Sequence, residues 1–362
     1  MAAKTNRKAD GIAKKNGALR VLVVGVGNMG MSHALAYTRI PGIEVVGVCT
    51  RHIDKVKLPE VLAKAKRHSS FDQALRETKP DIVSINTLPD THADFAIKAM
   101  EACAHIFVEK PLAETVDSAQ RVVDTARRTG RKLVVGYILR QHPSWNKFIE
   151  IARQLGTPLV FRMNLNQQSN GETWAWHKRL MDSFPPIVDC GVHYVDVMCQ
   201  MTKAKPVRVQ AMGAHLTNEV PVYNYGVLQV AFDDGSVGWY EAGWGPMMSE
   251  TAFFVKDVIG PKGSVSIVMA ENAGGVKSDD INAHVKTNQI LWHHADMSKP
   301  DERIDMTDEP GHDELCEREQ RFLIDAIDKN IDLGDHMDDA VKSLRIVIAA
   351  DQSVKTGEVV RL

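Results

Sequence analysis

The stretch Gly25-Val26-Gly27-Asn28-Met29-Gly30 limits the fold more than any other part of this chain. It fits the pattern G-x-G-x-x-G, follows an apolar β-branched run at 21–24, and opens a segment with helical patterning. A strand, a glycine turn and a helix in that order form the first unit of a dinucleotide-binding βαβ fold. Gly25 permits the tight turn, Gly27 lets the backbone approach a pyrophosphate, and Gly30 allows close helix–strand packing. Asn28 and Met29 then lie in the first helical turn, where unpaired N–H groups and a partial positive charge favour phosphate.

The surrounding sequence repeats the same alternation. Short apolar runs at 20–25, 43–49, 81–86, 105–109 and 132–136 read as strands. Between them, 29–39, 53–65, 71–77, 91–101 and 114–129 carry helix-length patterning. This predicts an α/β Rossmann domain over 18–142, a doubly wound parallel sheet with helices on both faces.

Past Pro143 the pattern changes. Helices are expected at 148–155 and 188–201, then strands at 207–212, 226–232, 236–242, 252–259 and 264–269. Asp233-Asp234-Gly235 between two of these is a hairpin turn signal. The polar stretch 274–301 reads as irregular surface, and helices at 314–329 and 337–355 close the chain. Residues 143–362 are therefore expected to form an α+β domain built on a largely antiparallel sheet.

Composition excludes several classes. A net charge of −2 gives no reason to expect nucleic acid or an anionic membrane as partner. No run approaches the ~18 apolar residues of a membrane helix. Residues 1–17 are basic, with Lys4, Arg7, Lys8, Lys14 and Lys15, but lack the apolar core of a secretory signal, so a flexible tail and a cytoplasmic location are expected. The five cysteines form no CxxC pair and read as free thiols.

Cofactor choice turns on the end of the second strand. Twenty positions past Gly30, where a carboxylate would bind the ribose 2′-OH of NAD, stand Thr50 and Arg51. A hydroxyl with a guanidinium suits a 2′-phosphate, so the reading leans to NADP over NAD. Lys110 falls at the C-terminal end of a strand, where doubly wound sheets bind ligands, and its ammonium can stabilise alkoxide charge. Asp189 and His193 are four apart on an expected helix and face one side. The imidazole can exchange the proton of an alcohol near neutral pH.

These residues also carry a resemblance. Val108-Glu109-Lys110-Pro111 after a Rossmann pattern resembles the family of glucose–fructose oxidoreductase, inositol dehydrogenase and MocA. Thr87-Leu88-Pro89-Asp90-Thr91-His92 looks like its loop after the fourth strand, and Asp189-Cys190-Gly191-Val192-His193-Tyr194-Val195-Asp196 like its Asp-x-Gly-x-His-x-x-Asp segment. Ile259-Gly260-Pro261-Lys262-Gly263-Ser264 and the ending 353–362 match as well, so the resemblance runs from about Leu19 to Leu362. It implies Lys110, Asp189 and His193 as catalytic trio, with Thr87, His92, Glu109 and Lys110 near the cofactor. It also implies that residues 143–362 carry an open sheet for substrate binding and for oligomerisation as a homodimer or homotetramer, and that hydride is exchanged between nicotinamide and a carbinol carbon of a sugar, glycoside or cyclitol.

Arg140, His142 and Trp176 are further candidates for substrate contact beside the trio, with Trp174 nearby and the alternating 164–168 as a possible polar wall. Asp189, Cys190, His193 and His177 offer ligand types, but their spacing matches no standard zinc set, so no metal is expected. Pro185-Pro186 replaces a glycine run of the family and implies a reshaped pocket wall. Cys103 replaces a glycine that ends a helix, and Leu88 a proline. Two other functions share the pattern: a non-catalytic cofactor or ligand sensor, and a nucleotide-sugar dehydrogenase.

Overall fold

The computed structural model describes residues 17–251, 254–268, 277–280 and 287–362. Residues 1–16 of the expected basic tail, residues 252, 253 and 269 of two expected strands, and 274–276 and 281–286 of the polar stretch lie outside it.

The first unit builds outward from β1 (Leu19–Val24), which leads through the glycine turn into α1 (Asn28–Arg39) and β2 (Ile43–Cys49). There follow β3 (Lys66–His68), α2 (Phe71–Thr78), β4 (Ile82–Ile85), α3 (Pro89–Glu101), β5 (His105–Val108), α4 (Val116–Thr129) and β6 (Leu133–Val135). All six strands run parallel in the order β3-β2-β1-β4-β5-β6. That order reverses between β1 and β4, the point where such sheets bind ligands. The helix expected at 53–65 is replaced by two short 3-10 turns (Ile53–Lys55 and Glu60–Leu62) and the unanticipated β3. Pro59 removes a donor in mid-segment, and the charged Lys66-Arg67-His68 carries no apolar signal for an edge strand.

Cys103, standing where the resembled family has glycine, adopts a left-handed φ of +70° and so keeps the helix end in the form glycine would give it.

The second unit begins with α5 (Pro143–Ala152), β7 (Val160–Gln168), α6 (Gly171–Leu180), α7 (Pro186–Asp189) and α8 (Gly191–Thr202). It continues with β8 (Pro206–Ala214), β9 (Tyr225–Phe232), β10 (Val237–Gly245), β11 (Lys256–Gly260), β12 (Gly263–Val268), β13 (Gln289–His294) and β14 (Glu302–Asp305). It ends with α9 (His312–Asp328), α10 (Gly334–Thr356) and β15 (Val360–Arg361). The nine strands order as β14-β13-β12-β11-β7-β10-β9-β8-β15, antiparallel except for the β7–β10 pair. The expected hairpin joins β9 to β10, with Gly235 at φ +86°. Strand β13 lies within the stretch read as irregular. Its alternation is masked by polar ends, Gln289 and His293-His294.

The C-terminal helices reach back to the first unit. Helix α9 packs on α1, and α10 lies between α8, β8 and α4. Leu323, Ala326 and Leu333 join the core under α1 and β1, with Val21, Val23 and Tyr37.

One core residue is out of keeping with its surroundings. Lys256 on β11 is 1% exposed; its Nζ donates to the Asn164 carbonyl and sits over the rings of Phe254 and Tyr194. Burial pulls its pKa down to about 7. A lysine whose folded pKa is depressed is protonated more readily in the unfolded chain, so it costs stability at and below pH 7. That cost disappears as pH rises from about 7 towards the ordinary lysine value of about 10.4. Lys256→Met is expected to raise stability by about 1–3 kcal/mol at pH 7. The gain should shrink by pH 10 in denaturant titrations; a pH-independent difference would contradict the buried-charge account.

Candidate active site

A cleft of about 700 Å³ opens beside the glycine turn and is bounded by both sheets' connections. Its floor is the turn itself. Gly25 takes φ +79°, and a Cβ there would stand 2.5 Å from the Asn86 carbonyl oxygen. A Cβ on Gly30 would fall 1.7 Å from the Gly25 oxygen. Those two glycines are thus required by packing. Gly27 is different: a Cβ there would meet nothing within 4 Å, because it borders the cleft. It caps α1 with no side chain bonded to the first turn, and no acidic residue lies in that turn. An open backbone at a positive helix end fits a dinucleotide pyrophosphate, which the cleft-lining Gly27, Asn28 and Met29 could hold.

The catalytic candidates converge at the far side. Lys110 directly follows Glu109 at the end of β5, and its Nζ donates to Asp189 Oδ2 at 2.7 Å and to the Asp189 carbonyl at 3.1 Å. Burial alone would lower the Lys110 pKa, but the Asp189 carboxylate outweighs it and leaves the ammonium more strongly protonated than usual. Asp189 ends α7, and His193 stands in the first turn of α8. The single helix expected over this segment is interrupted at Cys190, yet Asp189 and His193 both line the cleft. Pro186 at the first position of α7 explains the departure from a glycine run, since proline's fixed φ starts a helix. Tyr137 packs edge-on to His193 with ring centres 5.9 Å apart.

Behind Lys110 runs a relay that sequence reasoning missed. Glu109 Oε1 accepts from His33 Nε2 at 2.8 Å, and His33 Nδ1 accepts from Gln320 Nε2 at 2.9 Å. Glu109 Oε2 accepts from the Lys110 backbone N–H at 3.2 Å. Burial pushes the Glu109 pKa up, but the His33 bond and the nearby positive charges hold it below the usual carboxylate range. Glu319, buried next to this charge, is driven the other way, by burial first and then by Glu109. His33, Cys316 and Glu319 bring ligand atoms within 4.8 Å of one another. Both ring nitrogens of His33 are already hydrogen-bonded, to Glu109 and Gln320. His33 follows the glycine motif by three residues, which is the signal that could have found it.

Other candidates fall in different places. Thr87, Trp176 and Glu109 line the cleft; so do Leu165 and Gln167, while Asn164, Asn166 and Gln168 point to the opposite face of β7. His92 does not reach the cleft. It is fully buried and faces the Pro111 and Thr87 carbonyls, at 2.8 and 3.0 Å. Burial keeps its pKa low despite those carbonyls, so the neutral ring donates to one of them and braces the loop that carries Thr87. Arg140 is likewise not a cleft residue. Its guanidinium binds Asp196 at 2.9 and 2.5 Å and Asp339 at 3.1 Å, joining η-turn 138–141 to α8 and α10. Trp174 is buried beside Lys178 rather than in the cleft lining. Thr50 and Arg51 lie outside the cleft lining, but the Gly25 N–H donates to the Cys49 carbonyl, which sets them next to the glycine turn. Arg51 is exposed.

Comparison with known proteins gives the same assignment. The model of an oxidoreductase family with NAD-binding Rossmann fold matches residues 19–137, and the GFO/IDH/MocA C-terminal domain matches residues 151–266. An α-N-acetylgalactosaminidase of Shewanella oneidensis is 34% identical over 134 residues, 34% of this chain and 29% of that protein. An inositol 2-dehydrogenase of Salmonella typhimurium is 27% identical over 187 residues, 50% of this chain and 53% of that protein. The chain thus spans from under a third to about half the length of these curated relatives. The structure of GenD2 from gentamicin A biosynthesis, in complex with NAD, superposes with TM-score 0.74 at 21% identity, covering 96% of this chain and 97% of that one. At that identity the likeness speaks for the fold.

The three glycines separate fold from binding. Gly27→Ala should keep the melting temperature within about 2 °C but weaken NADH binding, read by fluorescence titration, about 10-fold or more. Gly30→Ala should lower the melting temperature instead. Equal NADH affinity in Gly27→Ala would remove the pyrophosphate from this turn.

Proposed function

Since the chain belongs to the GFO/IDH/MocA oxidoreductase family, we propose that it oxidises a secondary alcohol, or reduces the ketone, of a sugar, glycoside or cyclitol. The observation that carries this reading is the Lys110–Asp189 pair, 2.7 Å apart, on the cleft wall that also holds His193. Bound nicotinamide would supply the hydride acceptor or donor. Lys110 donates a hydrogen bond to the reacting oxygen and stabilises negative charge as it develops there. Asp189 keeps that ammonium in place and charged. His193 takes the alcohol proton in oxidation and returns it in reduction.

The cleft chemistry also bears on the substrate. Among the described residues, Lys110 is the only lysine or arginine lining the cleft, and Glu172, Asp279 and Asp280 add carboxylates. A diphosphate-linked sugar calls for arginine or lysine around its phosphates. A neutral polyol suits this lining better than a nucleotide sugar. A non-catalytic sensor has no use for the proton-transfer group beside the ammonium. A homo-oligomer is proposed through the outer face of the second sheet, where Val160, Val237 and Ile259 stand exposed.

Purified protein should change absorbance at the reduced-nicotinamide band with some member of a neutral polyol panel. Tight cofactor binding with no turnover across the panel would favour the sensor. His193→Ala is expected to lower kcat about 100-fold or more while leaving cofactor affinity nearly intact. Equal losses in both would sink the proton-transfer role. Arg51→Ala should weaken NADP more than NAD; an unchanged ratio of the two affinities would refute recognition of a 2′-phosphate.

A further inference from the structure

His142 carries an atom that the fold does not use. It precedes α5 and lines the cleft, although its residue is only 1% exposed. Its Nδ1 lies 2.5 Å from Glu309 Oε2. The other carboxylate oxygen, Oε1, accepts from the Ser144 backbone N–H at 2.6 Å, in the first turn of α5. Burial would raise the Glu309 pKa, but the bonds from His142 and Ser144 hold it below the usual range. The carboxylate is therefore ionised, and His142 presents N–H to it from Nδ1.

This pair explains itself structurally only in part. Glu309 caps α5 and ties the segment before α9 to it, which accounts for the carboxylate and for Nδ1. It does not account for Nε2. That nitrogen is buried and has no hydrogen-bond partner among the described residues. Buried polar atoms are rarely left so, and those that are call for a missing partner. Because Nδ1 is turned to Glu309, Nε2 is the only polar atom His142 has left to offer the cleft it lines.

We infer that His142 Nε2 is a substrate-binding atom, which accepts a hydrogen bond from one hydroxyl of the polyol and is fixed in orientation by Glu309. The inference rests on the dehydrogenase reading above and adds a specificity-determining position to it. With Nδ1 donating to Glu309, Nε2 of the neutral ring can only accept, so a hydroxyl, which can donate, is a better occupant than a carbonyl. His142 thereby selects a hydroxyl away from the reacting carbon, while Lys110 and His193 handle the reacting one.

The test uses the full chain, NAD(P) and a panel of myo-inositol, D-glucose and their monodeoxy analogues. His142→Phe is expected to raise KM for an accepted polyol about 10-fold or more, with a smaller fall in kcat and NADH affinity within about twofold. One monodeoxy analogue, lacking the hydroxyl that Nε2 receives, should show the same KM in both proteins. His142→Gln, whose amide can replace Nε2, should recover much of the lost affinity, and it serves if the phenylalanine variant does not fold. An unchanged KM, or an equal loss across every analogue, would overturn the assignment. If the wild type turns nothing over, polyol binding is read from the fluorescence of bound NADH. Binding without turnover would refute the dehydrogenase reading while the His142 comparison still decides; no binding by any polyol overturns both.

Discussion

The Lys110–Asp189 ion pair is the contact on which the site depends, because its two halves come from different layers of the molecule. Lys110 follows the last residues of a parallel strand in the first sheet; Asp189 ends a short helix of the second unit. A charged pair taken partly out of water is costly to break on one side only, since the survivor stays buried without its counter-charge. The pair therefore fixes how the two units meet at the place where chemistry requires it. It also keeps the ammonium charged against the burial that would neutralise it. A single interaction thus sets both geometry and protonation.

The supports of that pair extend well behind the cleft. Gln320 on α9 orients His33 on α1, and His33 holds Glu109, which in turn accepts the Lys110 backbone N–H. The first two links are buried hydrogen bonds between elements distant in sequence. Arg140 does similar work on the other side, holding α8 and α10 through Asp196 and Asp339. A charged residue near an active site is readily read as a ligand for substrate; here its charge is spent inside the protein.

Features whose cause is local were legible in the sequence. The glycine turn, the parallel strands and the β9–β10 hairpin follow from alternation, turn chemistry and the steric demands at Gly25 and Gly30. Lys110, Asp189 and His193 could be picked out as well, by residue type, position and resemblance, and the fold brings them to one cleft. What was not legible depended on pairing partners far away in the chain. Nothing in Lys66-Arg67-His68 marks an edge strand until β2 lies beside it. His92 and Arg140 have the right chemistry for ligands, and only their carbonyl and carboxylate partners show that they are braces. The relay through His33 needed α9 to return from the end of the chain.

That return has a consequence for how the protein can be taken apart. Helix α9 covers α1 and completes a hydrophobic core that includes strands β1 and β4 of the first sheet. A fragment ending near residue 142 would leave that apolar surface bare and His33 without Gln320. The dinucleotide-binding half is thus not a portable module in this chain, even though its sequence signature is confined to it. Exchange of whole halves between relatives would have to carry the last two helices along with the first sheet. The first sheet and the last two helices thus behave as one structural unit, separated in sequence by the elements of the second sheet.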